Sequence, residues 1–212
     1  MLEFKSFVLG DWQTNAWVIY PTEGDAGRPA WIVDPGFGPE PVLDYLKREQ
    51  LEPAAIMLTH AHVDHIAGIQ QVRSQYPSIP IQIHEAEADF LTDPTLNLSA
   101  ALAEPVVAPA ATATLAHGQT VEFAGTSVEV RHTPGHSPGS VSFWWKSEET
   151  VVSGDALFAG SIGRTDFPGS DHETLLTSIR EQLLSLPGET RVLPGHGPAT
   201  TVSHEAATNP WL

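Results

Sequence analysis

The 212-residue sequence predicts a mixed α/β (α+β) fold, with two facing mixed β-sheets and helices on their outer faces. Two observations favour this class. Strands and amphipathic helices alternate in the first half, which is typical of layered sheets. Four short strands follow in the second half, before one more amphipathic helix. The length favours one sizeable domain, so we expect residues 1–212 to form a single domain without a separate C-terminal helical domain.

Hydrophobic periodicity places the individual elements. An opening hairpin is expected at 3–9 and 15–20, because runs of apolar, β-branched and aromatic residues are interrupted by Gly10-Asp11 and Pro21. The segment 91–116 shows little periodicity and is expected to be a long surface excursion that borders a site. The other expected elements are strands at 30–34, 54–58, 81–84, 120–123, 126–132, 140–145, 150–153 and 190–193, and helices at 41–50, 67–76 and 173–186.

The charge and the cysteine count exclude several classes of function. Ten basic and 26 acidic residues give a formal net charge of −16, which disfavours nucleic acid and anionic membranes as partners. The chain has no cysteine, so any metal must be bound by histidine and carboxylate side chains. No secretory signal pattern and no apolar run long enough to span a bilayer is evident, so we expect a cytoplasmic protein.

The strongest motif is Thr59-His60-Ala61-His62-Val63-Asp64-His65, directly after the apolar run 54–58. At the end of a strand, side chains two residues apart point in the same direction, so His60 and His62 are expected to converge on one ion. The turn that follows is expected to bring Asp64 and His65 to a neighbouring position. The motif therefore predicts a metal site.

Three later segments share one pattern, in which an apolar strand is followed by a glycine-containing turn and a residue of ligand type. They place His136, Asp155 and His196 at the carboxyl ends of their strands. Rigid strand ends with glycine turns are suited to a preorganised site. Together with the first motif they supply five histidines and two aspartates, enough for two metal ions that share a carboxylate.

On these motifs the sequence resembles the metallo-β-lactamase superfamily over essentially the whole chain, which implies an αββα sandwich. The resemblance also implies a function for Asp34 in the Asp-Pro-Gly element, namely to steady the metal-binding loop; a turn residue at a strand end is the alternative interpretation. The implied ligands are His60, His62 and His136 for the first metal, Asp64, His65 and His196 for the second, and Asp155 as a bridge between them.

The segments 153–169, 193–198 and 208–212 are similar to short, single-domain members of the glyoxalase II-like branch. This branch implies a thioesterase that cleaves hydroxyacylglutathione (lactoylglutathione-like) thioesters. The alternative is a mononuclear iron persulfide dioxygenase, which the chain resembles at 163–167 and which needs only the equivalents of His60, His136 and Asp155. Gly197 after His196 favours the hydrolases. Another ester or lactone hydrolase of this fold, or a non-catalytic metal-binding protein, ranks lower.

The expected mechanism uses two divalent ions, zinc in the first instance and iron or manganese as alternatives. They would hold a bridging hydroxide that attacks the carbonyl of a small-molecule thioester, with Asp64 as the catalytic residue that orients it and moves its proton. Arg164 is the candidate substrate-binding residue, and an ion pair with Asp166 is its alternative. Trp211 is expected either to dock the tail or to contact the second copy of a homodimer.

Overall fold

The computed structural model describes residues 1–212. The chain divides into two compact units, Met1–Thr114 and Leu115–Leu212. Two mixed six-stranded sheets account for most of the strands, and helices accompany both. The mixed α/β class with two mixed sheets is therefore confirmed, whereas the single domain over 1–212 stays a prediction. No helix combines the length and the apolar character that crossing a membrane requires.

The sheet of the first unit keeps the order of the chain, from β1 to β6. Its strands are β1 (Leu2–Leu9), β2 (Thr14–Pro21), β3 (Arg28–Val33), β4 (Leu51–Met57), β5 (Ile81–His84) and β6 (Ala113–Leu115). The helices are α1 (Glu40–Arg48), α2 (Val63–Ile66) and α3 (Ile69–Gln75), with a 3-10 segment at Glu85–Leu91. Strands β3, β4 and β5 pair in parallel, so the segments that follow them emerge at the same edge of the sheet.

The sheet of the second unit has the strand order β14-β13-β10-β9-β8-β7. Its strands are β7 (Thr120–Phe123), β8 (Thr126–His132), β9 (Val141–Trp145), β10 (Thr150–Gly154), β13 (Arg191–Pro194) and β14 (Thr200–Thr201); β11 (Leu157–Phe158) and β12 (Ser161–Ile162) form a separate hairpin. The helices are α4 (His172–Ser178), continued by a π-helical turn at Ile179–Leu183, and α5 (Val202–Thr208), with a 3-10 segment at Lys146–Glu148. The pairing makes β8, β10 and β13 run in one direction, so their carboxyl ends also share an edge.

Apolar side chains from helices and strands fill each unit. In the first, Leu43 and Leu46 of α1 are buried in one cluster with Ile32 and Ile56 of the sheet. In the second, a separate cluster joins the α4 segment to β10 and β13. Burial of such side chains contributes about 1.5–3 kcal/mol each. These cores hold the strand ends rigid at both edges described above.

Several elements differ from the prediction, among them the short strands β11, β12 and β14, which the sequence pattern does not predict. The helix predicted at 67–76 is present as α3, and the structure adds the short helix α2 before it; the two are separate because the Gly68 amide donates to the Pro35 carbonyl. The segment 91–116 contains strand β6, and its middle is tied down by Asn97, whose side-chain amide donates to two backbone carbonyls. Helix α5 is capped by Thr201 and was not expected from the periodicity.

Gly135 is required by close packing beside His136. Its φ is +127°, and a Cβ there would overlap the backbone of Leu175 in α4. Gly135→Ala is expected to lower the free energy of unfolding by about 3 kcal/mol or more, because backbone strain and overpacking add together. The matched control is Gly125→Ala, at φ +78° with open space around the new Cβ, where strain alone is expected to cost about 1 kcal/mol. Urea unfolding measures both, and equal losses would contradict the packing argument.

Candidate metal centre

In the first unit the residues after β4 form a compact cluster of ligand-type side chains. His60, His62, Asp64 and His65 are all buried. The His60 ring centroid lies 4.7 Å from that of His62 and 4.1 Å from that of His65. Asp64 Oδ2 lies 3.4 Å from His65 Nε2. The structure thus brings together all four residues that the motif predicted as metal ligands in this unit.

Asp34 at the end of β3 fixes the orientation of two of these histidines. Its Oδ1 accepts from the Thr59 amide at 2.8 Å, and its Oδ2 accepts from Thr59 Oγ1 at 2.6 Å and from His65 Nδ1 at 2.9 Å. Since the Thr59 hydroxyl donates its one hydrogen to Asp34, it accepts from His60 Nδ1, 3.1 Å away. Both rings therefore carry hydrogen on Nδ1, which makes Nε2 the nitrogen suited to bind a metal.

Asp64 is held by a residue that the motifs did not reveal. Thr14, the buried first residue of β2, donates from Oγ1 to Asp64 Oδ2 at 2.8 Å. The contact joins residues 50 positions apart, so no local pattern could have indicated it. It fixes one carboxylate oxygen of Asp64 against the sheet.

Glu87 is a second residue that the sequence did not single out. It lies in the 3-10 segment after β5, is fully buried, and accepts from the Ala61 amide at 2.6 Å. Ala61 stands between His60 and His62 in the chain, so this carboxylate holds the backbone that carries both. No local pattern in the sequence singles it out, because its partner lies 26 positions away.

The second unit gathers His136, Asp155 and His196 at the carboxyl ends of β8, β10 and β13. Asp155 Oδ2 lies 3.6 Å from His136 Nε2 and 3.4 Å from His196 Nε2. His136 Nδ1 donates to the Arg164 carbonyl at 2.8 Å, which again leaves Nε2 as the nitrogen suited to a metal. A side chain at Gly163 would overlap the Asp155 carbonyl, so the following loop can approach the cluster only with glycine there.

The Arg164 side chain contacts protein groups near this cluster. Its Nε and Nη2 donate to the Asp166 carboxylate at 2.9 and 2.8 Å, and its Cζ lies 4.5 Å from the Phe167 ring centroid. The hydrogen bonds from Arg164 hold the pKa of Asp166 below its usual range. The ion pair with Asp166, named above as the alternative for Arg164, is thus formed in the structure. Substrate binding by Arg164 stays a prediction.

The donor set fits divalent cations. The clusters offer imidazole nitrogens and carboxylate oxygens, a combination suited to zinc, iron or manganese. No lysine or arginine is buried anywhere in the chain, so no permanent side-chain cation is available in the interior to balance its acids. The buried acidic residues are Asp34, Asp64, Glu87, Asp155 and Glu205.

Comparisons with known proteins agree with this chemistry. A model of the metallo-β-lactamase superfamily matches residues 9–196. YqgX of Bacillus subtilis, a probable metallo-hydrolase, is 41% identical over 100% of this chain and 98% of its own length. The hydroxyacylglutathione hydrolase GloC of Haemophilus influenzae is 32% identical over 94% of this chain and 93% of its own.

Two crystal structures share the fold. The B3 metallo-β-lactamase BLEG-1 superposes with a TM-score of 0.92 at 45% identity and covers 99% of both chains. TTHA1623 in a di-iron-bound form superposes with a TM-score of 0.85 at 38% identity, over 98% of this chain and 100% of its own. Both support the fold class predicted from the sequence.

Asp34→Asn should destabilise the metal-free protein. The amide replaces one acceptor oxygen by a donor, which leaves hydrogens of Thr59 or His65 buried without an acceptor. We expect the free energy of unfolding, measured by urea denaturation in chelator, to fall by about 3 kcal/mol. Thr59→Val, which keeps the backbone donor but removes both hydrogen bonds of the hydroxyl, serves as the comparison and should cost less, about 2 kcal/mol. A wild-type unfolding curve for Asp34→Asn would refute the hydrogen-bond assignment.

Proposed function

The chain belongs to the metallo-β-lactamase superfamily, and we propose that it is a binuclear, metal-dependent thioester hydrolase of the glyoxalase II type, acting on hydroxyacylglutathione-like substrates. The observation that carries the proposal is the complete set of seven buried or half-buried His and Asp donors in the segments that follow the strands. The likeness to GloC over nearly the whole chain supports the thioester.

We propose that one ion is bound by His60, His62 and His136, and a second by Asp64, His65 and His196, with Asp155 shared. Asp155 supports this division, because the same oxygen lies 3.6 Å from His136 Nε2 and 3.4 Å from His196 Nε2. Those two histidines are assigned to different ions, as a bridging carboxylate requires. Zinc is the first choice of metal; the di-iron form of TTHA1623 supports iron as the alternative.

When bound, two divalent ions lower the pKa of water toward neutrality and polarise a carbonyl oxygen. The residues of the chain supply orientation and proton transfer. Thr14 holds Asp64 Oδ2 at 2.8 Å, and we assign proton transfer to Oδ1 of the same carboxylate. Asp34 and the Arg164 carbonyl keep the imidazoles of His65 and His136 in fixed orientations, which limits the reorganisation that the reaction would require.

The packing around Asp64 and His65 favours two ions over one. A mononuclear dioxygenase would use His60, His136 and Asp155 and would leave the second set without a metal. The second set, however, is oriented by dedicated hydrogen bonds, from Thr14 to Asp64 and from His65 to Asp34. Such contacts are typical of metal ligands.

β-Lactam hydrolysis is the second candidate function. It is favoured by the 45% identity to BLEG-1, which is described as a B3 metallo-β-lactamase. Both candidate reactions are hydrolyses of a carbonyl compound, so the same metal centre suits either. Which reaction the protein catalyses therefore depends on which substrate fits beside the metal centre.

One set of assays separates these functions. The protein, loaded in separate samples with zinc and with ferrous iron, is incubated with S-lactoylglutathione, with glutathione persulfide and with nitrocefin, while thiol release, oxygen uptake and β-lactam opening are recorded. We expect thiol release that chelator abolishes and zinc restores, without oxygen uptake. Oxygen uptake on the persulfide would assign the protein to the dioxygenases, and faster turnover of nitrocefin would favour the lactamase.

Asp64→Asn tests the assigned proton transfer. Asparagine keeps the shape of the side chain and an oxygen ligand but removes the basic carboxylate, so we expect thioester turnover to fall by about 100-fold or more. Metal content, measured by plasma mass spectrometry, should remain within a factor of two of wild type. Thr14→Val is the comparison variant and should lower turnover by only about tenfold, the equivalent of one hydrogen bond. Unchanged turnover in Asp64→Asn would remove its proposed role.

A further inference from the structure

We infer that Glu87 is a positioning residue for the metal ligands His60 and His62, and that its buried charge strengthens metal binding. The inference rests on the proposed metal centre. It concerns a residue outside the proposed ligand set, placed by the 3-10 segment after β5.

The geometry begins with two neighbouring parallel strands. β4 and β5 pair in parallel, so the segments that leave them, 58–62 and 85–91, meet at one edge of the sheet. Glu87 Oε2 accepts from the Ala61 amide at 2.6 Å. His84 caps the segment that carries Glu87, because its Nδ1 accepts from the Ala86 amide at 3.3 Å. The segment that carries Glu87 is therefore fixed by its cap. The Glu87 carboxylate in turn fixes the backbone of Ala61 between His60 and His62.

The charge of Glu87 gives it a second effect. The side chain has no exposed surface, and a buried carboxylate is costly unless positive charge lies nearby. Among buried side chains only histidines can carry positive charge, and a histidine that binds metal is neutral. A bound dication beside His60 and His62 would offset the cost. Glu87 should thus favour the metal-bound protein.

Glu205 provides a matched control within the same chain. It is equally buried, and its carboxylate accepts from Thr200 Oγ1 at 2.6 Å, from Asn209 Nδ2 at 2.8 Å and from the Gly160 amide at 2.9 Å. These partners are neutral, and none of them is a proposed metal ligand. Glu205 therefore has a structural function only, and its effect should not depend on metal.

The experiment compares Glu87→Gln and Glu205→Gln in the full-length protein, with Glu87→Asp as a further variant that keeps the charge. Melting temperatures are measured in chelator and in zinc, and zinc affinity by competition with a chromogenic chelator. For Glu87→Gln we expect a smaller rise of the melting temperature with zinc than in wild type, and zinc affinity about 10–100-fold weaker. Glu87→Asp should retain more of the affinity than Glu87→Gln. Glu205→Gln should lower the melting temperature equally in both conditions and leave the affinity unchanged.

Two results would overturn the inference. One is zinc affinity of Glu87→Gln within twofold of wild type; the other is an equal loss of melting temperature with and without zinc, which a purely structural hydrogen bond would give. If Glu87→Gln does not fold, Glu87→Asp replaces it in the test, with His62→Ala as the reference. A zinc affinity of Glu87→Asp no better than that of His62→Ala would also contradict the inference. None of these readouts uses thioester turnover, so an inactive but zinc-binding wild type would refute the proposed function alone.

Discussion

Buried negative charge is the constraint on which the rest of the structure depends. The chain buries five carboxylates and neither lysine nor arginine. Glu205 is offset by three neutral donors within its own unit. The other four lie in or next to the segments that carry the proposed ligand histidines, where water cannot solvate them fully. Bound cations would lower the cost of this arrangement, which connects the fold directly to metal binding.

Strand direction explains how the donors are collected. Three parallel strands in the first unit deliver Asp34, His60 and Glu87 to one edge of their sheet. Three strands of common direction in the second unit deliver His136, Asp155 and His196 in the same way. Hydrogen bonds at Nδ1 then fix the rings of His60, His65 and His136, so that Nε2 is the nitrogen presented to a ligand. The helices outside the sheets serve mainly to bury their apolar faces.

The sequence allowed prediction of what depends on local pattern. Most strands could be placed within one to three residues, and the spacing of His60, His62, Asp64 and His65 nominated a cluster that the first unit does contain. Contacts between distant residues could not be predicted: Thr14 lies 50 positions from Asp64, and Glu87 lies 26 positions from Ala61. The sequence does not decide whether Arg164 binds substrate or pairs with Asp166. The contacts of an exposed guanidinium depend on the geometry of its neighbours, which hydrophobic periodicity does not encode. Helix α5 was missed because it is short and follows a turn-rich segment.

Native mass spectrometry of the metal-free protein titrated with zinc tests the central claim most directly, since it counts ions on each folded chain. We expect the chain to saturate with two zinc ions, because it has two proposed sets of metal ligands and each set includes buried negative charge. Saturation with a single ion, or no retained ion at all, would contradict it.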